Sequence, residues 1–203
     1  VIDINYLYRI SEQARVPIEI DMTDENYSKY KIHCLAADIK NEDYSAYIAI
    51  IPGGFLAEIY EQYGARLLEQ NVRTFLQFGN SKSVNTGIRK TIKETPHMFL
   101  AYNNGLAATA DNIDLSEDGC ITRLSNLQIV NGGQTTASIY HTWKKDSADL
   151  SNIFVQAKIS VVKRQEEYST IVSDISRFSN TQNKVNSADF SSNNPRLLAI
   201  EKW

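Results

Sequence analysis

The run Asn131-Gly132-Gly133-Gln134-Thr135-Thr136 has the residue types of an anion-binding turn. The apolar, β-prone Leu127-Gln128-Ile129-Val130 leads straight into it, and a helical pattern, Ala137 to Trp143, begins directly after it. A strand, a glycine pair and a helix N-terminus present backbone amides that have no intrahelical acceptor, at the end where the helix dipole is positive. Gly132 and Gly133 allow close backbone approach, and the Thr135 and Thr136 hydroxyls offer further hydrogen bonds. The turn lacks the Lys and four-residue spacer of a P-loop, and it is not GxGxxG. A plain β-to-α turn capped by Thr135 or Thr136 fits the same residues. Sequence alone leaves both readings open.

Asparagine occurs 17 times, and it gathers at Asn103-Asn104, at Asn131 with Gln134, and at Asn180 with Gln182, Asn183 and Asn186. An amide donates and accepts at once, which suits base edges, ribose and neutral polar groups. It does not titrate near neutral pH and supplies no general base. Turn chemistry and capping explain any one Asn equally well, but three clusters beside strand or helix ends point to a shared polar pocket. Arg73, Arg89 and Lys184 are the cations expected to meet phosphate there, and Tyr102 the ring expected to stack on a base.

Catalytic equipment is thin. His33 lies in an apolar strand-like run, His97 follows Pro96, and His141 falls one turn into the helix after the glycine turn. None has a metal spacing such as HExxH. Asp174 and Arg177 read as an i,i+3 ion pair, and no GxSxG elbow occurs. A metal-dependent nuclease wants two or more carboxylates on its ion; Asp111, Asp114 and Asp174 would meet only through tertiary contacts. Sequence therefore assigns no catalytic residue, no metal and no cofactor.

The elements that must position these groups follow from periodicity. Strands are expected at Val16–Ile20, Tyr30–Ile39, Ala46–Ile51, Met98–Tyr102, Leu106–Ala110, Leu124–Val130 and Phe154–Val162. Helices are expected from Phe55 to near Gln70, Ser83 to Glu94, Thr135 to Lys145, Glu166 to Phe178 and from near Pro195. Asn103-Asn104-Gly105 reads as a hairpin turn between two of the strands. The expected class is α+β: a mixed sheet flanked by helices, with a small N-terminal lobe, 1–68, and a core, 69–203.

Composition bounds the function. The net charge is -3, with 42% hydrophobic and 22% charged residues, an ordinary globular balance that excludes disorder and coiled coil. No apolar run approaches the roughly 18 residues of a membrane-spanning helix. Cys34 and Cys120 without CxxC make neither a zinc site nor a disulfide framework, so a reduced, cytoplasmic protein is expected. Charge is uneven: residues 1–62 carry a net of -6 and residues 71–100 a net of +4. Such a layout can build a basic face on an acidic chain, since screening confines interactions to about 8 Å at physiological salt; a solvated helix face reads the same way. The chain has no initiator Met and reads as a piece of a longer protein, so its further partners are expected to be missing domains or a second copy.

Four blocks in order resemble the AIPR family, the abortive infection phage resistance proteins of bacteria: Asn71-Val72-Arg73 with Val84 to Ile88, Phe99 to Leu106, Leu127 to Thr135, and Ser179 to Val185. The resemblance covers roughly residues 65–195. It implies a role in halting infected cells before phage spread, without fixing a biochemical activity. A more distant likeness is to ParB and sulfiredoxin-type domains, where a similar turn binds nucleotide phosphates; there a charged pair stands where this chain has Gln134-Thr135-Thr136. The expected function is thus binding of nucleic acid or a nucleotide by a phage-defence domain through Arg73, Arg89, Tyr102, Asn103, Asn104, the turn 131–136, Asn180, Gln182 and Lys184. A nuclease-type toxin and a protein-interaction scaffold sensing a phage component are the alternatives.

Overall fold

The computed structural model describes residues 16–68 and 82–181. A five-stranded mixed sheet forms its centre, in the order β2-β3-β8-β4-β7. Its members are β2 (Cys34–Ala36), β3 (Tyr44–Pro52), β4 (Leu106–Ala110), β7 (Gln128–Asn131) and β8 (Phe154–Val162). All neighbours are antiparallel except β4 and β8, which run parallel. A second sheet of three strands, β1 (Glu19–Asp21), β6 (Ile121–Ser125) and β5 (Asn112–Leu115), is antiparallel throughout. Pairing crosses residue 68 in both sheets, because β1 joins β6 and β3 joins β8 over nine residues.

The described residues also form the helices α1 (Gly53–Tyr63), α2 (Lys82–Glu94), the single turn α3 (Phe99–Tyr102), α4 (Gly133–Asp146) and α5 (Tyr168–Asn180). Strand alternation decides which face each covers. Ala49 and Ile51 of β3 and Val155, Ala157 and Ile159 of β8 point to one side, where they pack with Phe55, Leu56 and Ile59 of α1 and Ile139 of α4. Ala107, Val130 and Val162 point to the other, under Val172 of α5. Full burial of each such side chain contributes about 1.5–3 kcal/mol, so α1, α4 and α5 are fixed relative to the sheet ends they frame. No helix among the described residues is long and apolar enough to cross a membrane.

The α+β class and the mixed sheet with flanking helices are as the sequence predicts. Several local expectations are corrected. Met98–Tyr102 is not a strand: Pro96–Met98 forms a 3-10 turn and Phe99–Tyr102 a helical turn. Proline suits the first position of a helix, and Phe99 alone of that run is buried. Asn103–Gly105 therefore links a helix to β4 and is not a hairpin turn. The run Leu124–Val130 is two strands in two sheets, divided at Asn126, which adopts φ 51°. The strand expected at Tyr30–Ile39 shortens to β2 and an isolated His33–Cys120 bridge, while β5 has no counterpart among the predicted elements. Residues 1–15 and the helix expected near Pro195 lie outside the described residues.

Candidate functional site

Three amide-bearing loops meet at the start of α4. Gly132 adopts φ 92° and packs so closely on the neighbouring loop that a Cβ there would lie 2.6 Å from Leu106 Cβ and 3.1 Å from the Gly105 carbonyl oxygen. From that loop Asn103 donates its Nδ2–H to Thr135 Oγ1 at 3.2 Å, and its Oδ1 accepts the Gly105 N–H at 2.9 Å. The end of α5 joins from the other side: Asn180 Nδ2 donates to the carbonyls of Val130 and Ser176, both at 2.7 Å, and Asn131 Nδ2 donates to the Ser179 carbonyl. The segments 103–105, 131–136 and 180 are thus one structural unit, although 77 positions separate its first and last residues in the chain.

Much of the amide chemistry is spent inside that unit. Asn103, Asn131 and Asn180 hold loop, strand and helix to one another. The Thr136 hydroxyl donates to the Gly132 carbonyl, and Thr135 accepts from Asn103; both threonines are buried. The hydroxyls that the sequence offers to a ligand are therefore structural. Asn180→Ala, which deletes two part-buried donors, should lower stability to urea by about 1–3 kcal/mol, and the midpoint shift reads this directly.

What remains for a ligand is the helix terminus itself. α4 begins at Gly133 with Gly132 as its N-cap, no side chain caps it, and no acidic residue lies in its first turn. Asn131, Gly132 and Gln134 are half-buried, whereas Asn104 and Tyr102 are exposed, Tyr102 at 65%. Gly133 itself is buried, so approach is by way of Gly132 and Gln134. Phe178, the residue before Ser179 in α5, is 61% exposed, with the Arg177 guanidinium 4.6 Å from its centroid.

Arg89 does not reach this place. It sits on α2 in a bidentate ion pair with Asp146, both bonds at 2.5 Å, and Asp146 ends α4, about 20 Å from Gly133 at the helical rise of 1.5 Å. The Arg89 hydrogen bonds hold the Asp146 carboxyl below its usual range. Arg73, Gln182 and Lys184 lie outside the described residues.

Other polar clusters are structural. Asn126 donates to Asp111 and to the Tyr168 hydroxyl at 3.2 Å, tying the start of α5 to the turn between the sheets. Burial, and then the bond to Asp111, push the Tyr168 phenol well up. Cys34 and Cys120 are free thiols. Cys120 Sγ lies 3.4 and 3.7 Å from the two nitrogens of His33, so the sulfur faces the ring rather than one lone pair, and burial raises its pKa. Asp174 pairs with Arg177 at 3.0 Å, and among the described residues no three His, Cys, Asp or Glu converge as a metal-binding set. An apolar cavity lined by Ile32, Phe55, Leu124 and Ile129 lies inside the core.

The family model described as AIPR protein matches residues 68–203, a span that takes in α2 through α5 and all three amide loops. No curated protein and no solved structure matches the chain.

Proposed function

The chain belongs to the AIPR family, and we propose that in it this domain binds nucleic acid or a nucleotide at the N-terminus of α4. The family's role is phage defence by abortive infection; the ligand and its site are the proposal. One observation carries it: α4 starts uncapped and free of acidic side chains where the 103–105 loop and the end of α5 close around it. A phosphate at that point would meet the first-turn amides and Gln134. The exposed Asn104 amide would read a polar edge, and Tyr102 and Phe178 would offer faces for bases. Among the described residues, the groups at the turn are amides and rings, which would hold and orient a ligand; none of these is a general base at neutral pH. Binding is therefore favoured over the nuclease alternative.

Fluorescence anisotropy with labelled single-stranded DNA and RNA, and competition by free nucleotide, tests this. The logarithm of affinity should fall linearly with the logarithm of salt concentration. Tyr102→Ala should weaken oligonucleotide binding about tenfold, within the range measured for one base stack, while Arg89→Ala should leave it unchanged. Affinity that is equal at low and high salt, or untouched by Tyr102→Ala and Asn104→Ala together, rejects the reading. Probe cleavage with magnesium, lost in Asp174→Ala, would replace it by the nuclease.

A further inference from the structure

The outer face of α4 carries a stripe that the rest of the described fold does not cover. On one flank Tyr140 packs against Tyr60 of α1, ring centroids 5.2 Å apart, and Lys144 pairs with Glu61. On the other Ser138 donates to Asn85 Oδ1 of α2 at 3.2 Å, and Asp146 pairs with Arg89. Between these flanks run Gln134, Ala137, His141 and Lys145, the first two half-buried and the last two exposed. At 3.6 residues per turn, Gln134, His141 and Lys145 lie within about 20° of one line, which is about 17 Å long. It starts at the turn 131–136 and ends at a surplus of positive charge.

The surplus is two lysines. Arg89 and Asp146 cancel, Lys90 pairs with Glu94, and Lys144 with Glu61. Lys93 of α2 and Lys145 remain, both exposed and, among the described residues, in no ion pair of their own. After the Arg89 hydrogen bonds, their charges help to hold the Asp146 carboxyl low, so both converge on this end of α4. Each lysine suits the negative end of its own helix; where the two ends converge, their charges add at one place. We propose, resting on the reading that a phosphate meets the start of α4, that the ligand is a single strand of nucleic acid running along this stripe to Lys93 and Lys145, and not a free nucleotide. At about 3.4 Å between phosphates along a stacked strand, about 17 Å spans about five nucleotides. The exposed His141 ring, which packs edgewise on Tyr60 at 6.5 Å, offers a face to a base on the way, as Tyr102 does at the start. The stripe is one helix face wide, which fits a strand with splayed bases and not a duplex.

Anisotropy titrations of the full chain with labelled thymidine oligomers, from the dinucleotide to the dodecamer, test this. Affinity should climb steeply to a length of about six residues and level off beyond it. Lys93→Ala with Lys145→Ala should weaken dodecamer binding several-fold. It should also lower the slope of log affinity against log salt by about 1.4, at about 0.7 per phosphate contact, and leave the dinucleotide, read by competition, unchanged. Both lysines are exposed, so the fold does not depend on them, and circular dichroism checks that. Lys31→Ala with Lys40→Ala, the same change of net charge beside β2, should have no effect. Affinity that stops growing after the dinucleotide, or a silent Lys93 and Lys145 double variant, would overturn the proposal. So would duplex DNA or polyglutamate held as tightly as the single strand, polyglutamate in favour of an acidic protein partner. All of these leave the effect of Tyr102→Ala on the dinucleotide intact, whereas loss of that effect is the failure of the site at the start of α4 itself.

Discussion

Replacing Gly132 by alanine should destabilise the domain by about 2–6 kcal/mol, whereas the same change at Gly87 should stabilise it by about 0.5–1 kcal/mol. Both glycines lie in blocks that carry the family resemblance, and neither the sequence nor the family tells them apart. Gly132 sits at φ 92°, and an added Cβ would come within 2.6 Å of Leu106 Cβ and 3.0 Å of its Cα. A strained backbone conformation costs about 1–3 kcal/mol, and an added methyl in a filled space typically a further 1–3 kcal/mol. Leu106 cannot yield, because it is 7% exposed and fixed in β4 between β8 and β7. Gly87 lies inside α2 with nothing within 4 Å of its missing Cβ. There alanine only removes the entropy that glycine loses on entering a helix. Urea unfolding of both variants against the parent gives the two signs, and equal signs would mean that the contact between Gly132 and β4 is absent from the folded protein.

That pair of glycines shows what the sequence can and cannot convey. The strand–glycine–helix order at 127–143 follows from local rules, since periodicity and glycine punctuation act over a few residues. So do β8, whose nine residues coincide with the expected Phe154–Val162, and α2. The contact of Gly132 with Leu106 is set by the register of β4 against β7, with its shift between Ala107 and Ala108, and no local pattern encodes it. Met98–Tyr102 misleads for a related reason: Phe99 and Ala101 alternate as a strand would, but the Pro96 turn and the burial of Phe99 commit the segment to a helical turn.

The amides were legible in type but not in role. Their clustering points to one place, and Asn103, Asn131 and Asn180 do meet there. An Asn that binds a ligand and an Asn that ties a helix to a strand look identical in a sequence, because the same donor and acceptor serve both. Only the partners distinguish them. Arg89 is the complementary case: the local excess of bases at 71–100 marks it for phosphate, but the acid that neutralises it, Asp146, arrives from 57 residues away. Charge counted along a chain misses such pairs. Exposure, by contrast, singles out Asn104 and Tyr102 as the groups with capacity left over.

Gln134→Glu should separate stability from binding, which gives the most demanding test of the site. A carboxylate in the first turn of α4, where none now stands, interacts favourably with the helix dipole and should raise stability by about 0.3–1 kcal/mol. The same charge would sit near a bound phosphate. At about 6 Å, with an effective dielectric constant of about 20–40, two like charges repel by about 1.4–2.8 kcal/mol, or 10- to 100-fold in affinity. Gln134→Lys should reverse both signs, tightening binding while costing the helix a fraction of a kcal/mol. A role for Gln134 in folding alone predicts that stability and affinity move together, and a ligand seated elsewhere predicts that affinity does not move. Opposite movement in both variants, with the oligonucleotide salt dependence steeper for Lys and shallower for Glu, is the pattern that only an anion at the start of α4 produces.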